Sequence, residues 1–122
     1  LVLMLPGHRV ALDPLPGYTQ LTASADMEGF IAVFLEQELR ARDQRWAWWT
    51  DWPWAERPDA STHPDLIFID QLVEQLKGDY NIDLSRVYVT GHSRGAAMAL
   101  IAAHERPDLF AGAVVFESCS LV

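Results

Sequence analysis

Cysteine is nearly absent from this chain. The single Cys119 rules out an internal disulfide, and without a C-x-x-C or similar ligand spacing there is neither a thiol redox site nor a structural zinc to assign. Cys119 follows Phe116-Glu117-Ser118 and reads either as a buried strand-end residue or as one that pairs with something outside these residues. Basic residues are scarce: 9 Lys and Arg stand against 17 Asp and Glu, for a formal net charge of -8, and they form no cluster. Nucleic acid and anionic membrane surfaces, which both select positive charge, are therefore not expected partners. Long apolar runs are missing as well. The run Leu1-Val2-Leu3-Met4-Leu5 is too short for a membrane span and has no basic flank of a signal peptide. Neither G-x-G-x-x-G nor G-x-x-x-x-G-K-[ST] occurs, so no phosphate-binding loop is present. Glu36, Glu38, Asp43, Asp51, Asp59 and Asp65 show neither a paired-carboxylate nor a metal-ligand arrangement.

What is present is apolar residues in short blocks. Half of the 122 residues are hydrophobic, which suits one domain with a real core and argues against disorder. Residues 1–5 read as a buried strand stopped by Pro6-Gly7. A proline-rich loop follows, then a short helix over 19–27 ended by Gly29. Residues 30–34 form a second apolar block. The spacing of Leu66, Ile69, Leu72, Val73 and Leu76 predicts a helix over 65–77, with Pro64 in its first turn and Gly78 as its C-terminal cap. Strands are expected at 87–90 and 113–116, and a helix between them over 94–106, stopped by Pro107. Continuous apolar strands alternating with helices imply an α/β fold whose parallel sheet is covered on both faces. Because the sequence starts inside an apolar strand without Met, further chain is expected upstream.

The segment with chemical content is Gly91-His92-Ser93-Arg94-Gly95. It follows the strand-like Val87-Tyr88-Val89-Thr90 and opens the small-residue run Ala96-Ala97-Met98-Ala99-Leu100. A G-x-S-x-G segment between strand and helix lifts its serine onto a sharp turn, where the hydroxyl is accessible to substrate. Glycine at 91 and 95 removes side-chain bulk where the two elements pack closely. The backbone N–H of Arg94, next after the nucleophile, is placed to donate to a developing oxyanion at a helix N-terminus. The bland alternative is a structural turn bearing an ordinary serine.

With these pieces in order, the chain resembles the alpha/beta-hydrolase superfamily. More narrowly, it is similar to polyhydroxybutyrate depolymerase and feruloyl or acetyl xylan esterase-like proteins. The resemblance runs through Leu1-Val2-Leu3-Met4-Leu5-Pro6-Gly7, Met27-Glu28-Gly29-Phe30-Ile31-Ala32-Val33, the tryptophan-rich connection, the stretch Tyr80-Asn81-Ile82-Asp83-Leu84-Ser85-Arg86 up to Ser93, and Pro107-Asp108-Leu109-Phe110-Ala111-Gly112. It implies a partial alpha/beta-hydrolase domain over 1–122, the central part of a three-layer sandwich. The strands at 1–5, 30–34, 87–90 and 113–116 would be the third to sixth of the full fold, in spatial order 4-3-5-6. It also implies Ser93 as nucleophile and a second oxyanion donor in the loop after the first strand. Pro6 stands there in place of the usual histidine, leaving the His8 N–H as the candidate. Arg45 replaces a cysteine that many relatives carry, so the corresponding loop disulfide is not expected. The catalytic acid and histidine of such proteins follow later strands, so the C-terminal part of the same fold is an expected partner of this segment.

No histidine here is a convincing base. His92 is adjacent in sequence but leaves the elbow differently, and is a structural or pocket-lining candidate. His104 would lie roughly 15 Å along the following helix. His8 would face the oxyanion side, and His63 reads as a loop residue before a helix. The connection over 35–62 carries Trp46, Trp48, Trp49, Trp52 and Trp54, whose flat faces suit a phenolic acyl group, a sugar ring or a polymer surface. Packing over the sheet is the structural alternative. The resulting expectation is a serine carboxylic-ester hydrolase working through a Ser93 acyl-enzyme, on feruloyl or acetyl polysaccharide esters or polyhydroxyalkanoate-like esters. It would need no metal or organic cofactor, and the resemblance implies an extracellular location. Open alternatives are a serine peptidase-like hydrolase and an inactive carbohydrate-binding or interaction protein.

Overall fold

The computed structural model describes residues 1–7, 15–36, 39–40, 45–46 and 60–117. Strands β1 (Val2–Leu5), β2 (Ala32–Phe34), β5 (Tyr88–His92) and β6 (Gly112–Phe116) form one sheet in the order β2-β1-β5-β6. All three pairings are parallel. Parallel neighbours need crossover connections, which is what the intervening helices supply. Between β1 and β2 lie α1 (Leu15–Thr19) and α2 (Leu21–Glu28). Next come the two-residue antiparallel strands β3 (Leu39–Arg40) and β4 (Arg45–Trp46), then α3 (Pro64–Asp79). α4 (Arg94–Glu105) links β5 to β6. The α/β reading and the strand order agree with the expectation from sequence.

The sheet register decides which side chains share a face. Leu3 pairs with Val33 and Val89, and Val89 with Ala113, so these side chains point the same way. That face is the core. Leu3, Leu5, Val87 and Val89 are fully buried with Leu66, Ile69 and Val73 of α3 and Met98, Ala99 and Ala102 of α4. Each large aliphatic side chain so buried contributes about 1.5–3 kcal/mol relative to exposure. The opposite face is more open toward β6: Tyr88, Val114 and Phe116 are exposed there, so the expected cover on both faces does not extend to these positions.

Several element ends differ from the periodicity reading. The expected helix over 19–27 is two helices, broken at Gln20, whose φ of 54° is left-handed. Gly29 caps α2 with φ 69°, as expected of a glycine terminator. α3 runs through Gly78 to Asp79 and is capped by Tyr80, so Gly78 is a helical residue rather than the cap. His63, read as an ordinary loop residue, is the N-cap of α3. Its Nδ1 accepts from the Asp65 N–H at 3.2 Å, and the residue is only 1% exposed. Pro64 occupies the first turn, where its missing N–H is no loss. Arg106 Nε donates to both carboxylate oxygens of Asp70 at 3.0 and 2.9 Å, and its Nη2 lies 2.9 Å from Oδ2, which ties the end of α4 to α3. Among the described residues no helix is long and apolar enough to cross a membrane.

Candidate active site

The chain leaves β1 toward β2 on one side of the sheet and leaves β5 toward β6 on the other. The carboxyl ends of β1 and β5 therefore diverge at a topological switch point, the usual ligand crevice of an open parallel sheet. Leu5 pairs with Gly91, which brings Pro6-Gly7 alongside His92-Ser93. A side chain on residue 7 would come within 3.0 Å of His92 Nδ1 and 3.4 Å of Ser93 Cβ. The loop after β1 thus borders the serine directly.

Ser93 sits between the last residue of β5 and the first of α4 with φ 55° and ψ -117°. That is an uncommon conformation for a residue with a Cβ, worth on the order of 1–3 kcal/mol of strain. The surrounding backbone enforces it. The Ser93 N–H donates to Phe116 O at 3.0 Å, and Ser93 O accepts from the Ala97 N–H at 3.2 Å. The Ser93 side chain makes no capping bond to the helix it precedes. The residue as a whole is partly exposed.

The two glycines of the motif are steric requirements. A Cβ on Gly91 would clash with the Gly95 carbonyl and stand 2.7 Å from Ala96 N. A Cβ on Gly95 would run into the Leu5 and Pro6 carbonyl oxygens and stand 2.6 Å from Leu5 C. α4 is consequently pressed against β1 and β5 with backbone touching backbone. Its helical run is favoured by Ala96, Ala97, Ala99 and Ala102, strong helix formers with no bulk, and all four are buried. The chain turns sharply because the helix must start at once and no side chain stands in the gap.

Arg94 is the first residue of α4, so its N–H belongs to the helix N-terminus beside Ser93. His92 is one-third exposed or less, and its Nε2 lies 2.8 Å from Glu117 Oε2. Glu117 was no candidate from sequence; only the pairing of His92 with Phe116 shows that the residue after β6 reaches the elbow. His104 lies in the last turn of α4 and is exposed, well away from Ser93. His8, Trp48, Trp49, Trp52, Trp54 and Cys119 lie outside the described residues, and of Trp46 only its place in β4 is described. A cleft lined by Val2, Phe30, Ile31, Asp83 and Tyr88 lies at the opposite end of the sheet, where the strands begin.

Comparison with known proteins gives the same picture. The family described as Esterase PHB depolymerase matches residues 1–121. Poly(3-hydroxyalkanoate) depolymerase C of Paucimonas lemoignei is 31% identical over 119 residues, covering 89% of this chain and 28% of that protein. The esterase NocK of Nocardia uniformis subsp. tsuyamanensis is 33% identical over 112 residues, covering 92% of this chain and 30% of that protein. Acetylxylan esterase A of Emericella nidulans is 44% identical over 48 residues, 39% of this chain and 16% of its own length. The chain thus spans under a third of the length of these relatives. With a strained serine turn at the switch point of a parallel sheet, and a family match along nearly its whole length, this chain belongs to the PHB depolymerase esterase family of alpha/beta-hydrolases.

Proposed function

We propose that this chain carries the nucleophile half of a serine carboxylic-ester hydrolase. The observation that carries the reading is the backbone of Ser93, held at φ 55° and ψ -117° between β5 and α4 with its side chain uncommitted to the helix. Ser93 Oγ attacks the acyl carbon of an ester and its proton passes to a base. The carbonyl oxygen takes the electron pair as an oxyanion. The Arg94 N–H at the start of α4, with the His8 N–H in the loop after β1, receives that charge. Collapse expels the alcohol, which takes up the proton, and leaves an acyl group on Ser93 Oγ. Water then cleaves this acyl-enzyme by the same route in reverse.

We place the base and its acid partner outside the described residues. None of the histidines at 63, 92 or 104 is arranged to take the Ser93 proton: His63 caps α3, His92 bonds Glu117, and His104 is at the far end of α4. The substrate is a polyester of the hydroxyalkanoate kind or an acyl ester on a plant polysaccharide. Support for this class comes from the relatives, one a poly(3-hydroxyalkanoate) depolymerase and one an acetylxylan esterase. Trp46, Trp48, Trp49, Trp52 and Trp54 are the proposed contacts for such a chain.

The test is covalent labelling of the intact protein with a fluorophosphonate, read by mass. One adduct is expected, located on Ser93 and lost in Ser93→Ala. An unlabelled, folded wild-type protein would overturn the reading. Release of acetate from acetylated xylan against release of hydroxyacid from poly(3-hydroxybutyrate) then separates the two substrate classes.

A further inference from the structure

At the carboxyl end of the sheet two adjacent strands finish in left-handed turns: Ser93 after β5 has φ 55° and Glu117 after β6 has φ 48°. Non-glycine residues seldom adopt such values, and two side by side require mutual support. Two bonds join them. The Ser93 N–H donates to Phe116 O at 3.0 Å, and the His92 ring meets the Glu117 carboxylate at 2.8 Å. A carboxylate only accepts, so His92 Nε2 carries the proton of this bond and donates it. The other ring nitrogen, Nδ1, then faces Gly7, where even a Cβ would approach to 3.0 Å. The imidazole therefore spans from the end of β6 to the loop after β1, with the Ser93 turn between them.

We propose that His92 and Glu117 are positioning residues for Ser93: the pair clamps the nucleophile turn to the end of β6 and holds the loop after β1 at its working distance. This rests on the hydrolase reading only for its catalytic consequence. The clamp itself is a statement about the backbone of residues 92–93 and 116–117. It also assigns His92 away from substrate contact, because the ring's Nε2 edge is committed to Glu117. The carboxylate is exposed, with 82% of its side-chain surface accessible, so the clamp is a modest one whose loss loosens the turn without unfolding the domain.

The experiment uses the intact protein and two independent readouts. Amide hydrogen exchange at Ser93 reports the turn directly, whether or not the protein is active. Glu117→Leu and His92→Leu are expected to speed exchange at Ser93 about five-fold while leaving the buried α4 amides unchanged. Glu117→Gln, which keeps an acceptor, is expected to restore most of the protection. In the same variants the maximal rate of fluorophosphonate labelling falls by a similar factor with reagent affinity unchanged, and Gln at 117 rescues it. Unchanged exchange at Ser93 in both leucine variants would overturn the clamp, as would equal acceleration of every core amide. If the wild type shows no labelling but Ser93 exchange responds as described, the hydrolase reading fails and the clamp stands. If labelling proceeds at the wild-type rate in the leucine variants, the clamp has no catalytic role and the proposal fails on that point.

Discussion

At residue 93 the chain holds a conformation that its own side chain disfavours. Strain of this kind persists only where neighbours over-determine it. Ser93→Gly removes the conflict between Cβ and backbone, whereas Ser93→Ala keeps it. Thermal unfolding of the intact protein should therefore place the glycine variant above the alanine variant by about 1 kcal/mol, with both unlabelled by fluorophosphonate. Equal stability would mean that the turn is not strained. The glycines make the complementary point. At Gly95 an added Cβ meets backbone carbonyls of Leu5 and Pro6, which have no rotamer to change, so Gly95→Ala should cost about 3 kcal/mol or more. At Gly78, inside α3, a Cβ meets nothing within 4 Å, so Gly78→Ala should stabilise by roughly 0.5–1 kcal/mol through helix propensity. Urea unfolding of the two variants gives opposite shifts of the midpoint if this geometry is right. The sequence motif alone asks for both glycines of the elbow; what it does not say is that the second one is required by β1, some ninety positions away.

Among the elements, local chemistry accounts for most starts and stops. Pro64 and Asp65 open α3, Gly29 closes α2, and α4 ends ahead of Pro107. The short turn that leads into β5 is also local. Asp83 accepts from the Ser85 hydroxyl at 2.6 Å, the Ser85 N–H at 3.0 Å and Arg86 Nε at 2.7 Å. The Ser85 hydroxyl, then Arg86, then the Ser85 N–H hold its carboxyl down from 3.8 to about 2. A depressed carboxylate stabilises the folded state above its unfolded pKa, and that contribution is lost as pH falls through the folded value. Here the window runs from about 4 down to about 2. A carbon-detected titration should find the Asp83 midpoint near its lower end, and Ser85→Ala should move it upward more than Arg86→Gln does. A midpoint at the ordinary aspartate value would show that the turn is not held by Asp83. The break at Gln20 and the N-cap at His63 were less legible, because a non-glycine residue seldom takes a φ of 54° and histidine is not among the preferred N-cap residues.

At the scale of the whole molecule, one face of β5 and β6 carries exposed apolar side chains. Tyr88 is 41%, Val114 59% and Phe116 55% exposed, and they lie together on one face of β5 and β6. Exposed apolar surface beside β6, the end strand of the sheet among the described residues, favours association. Residues 1–122 taken alone should therefore self-associate in sedimentation experiments, and Val114→Thr combined with Phe116→Thr should shift them toward monomer. A monomeric, sharply unfolding wild-type segment would refute this.

The sequence by itself determined the kind of fold and the place of the serine turn. Short apolar blocks separated by helical spacing permit little besides a parallel α/β sheet, and a glycine-flanked serine between strand and helix names its own turn. Both are local patterns, set by side-chain period and by steric bulk within a few residues. Only the tertiary structure decided what surrounds the serine. Glu117 reaches His92, and Gly7 borders Ser93, because parallel pairing sets Phe116 against His92 and Leu5 against Gly91. Register is a relation between distant segments, and no short-range pattern along the chain encodes it.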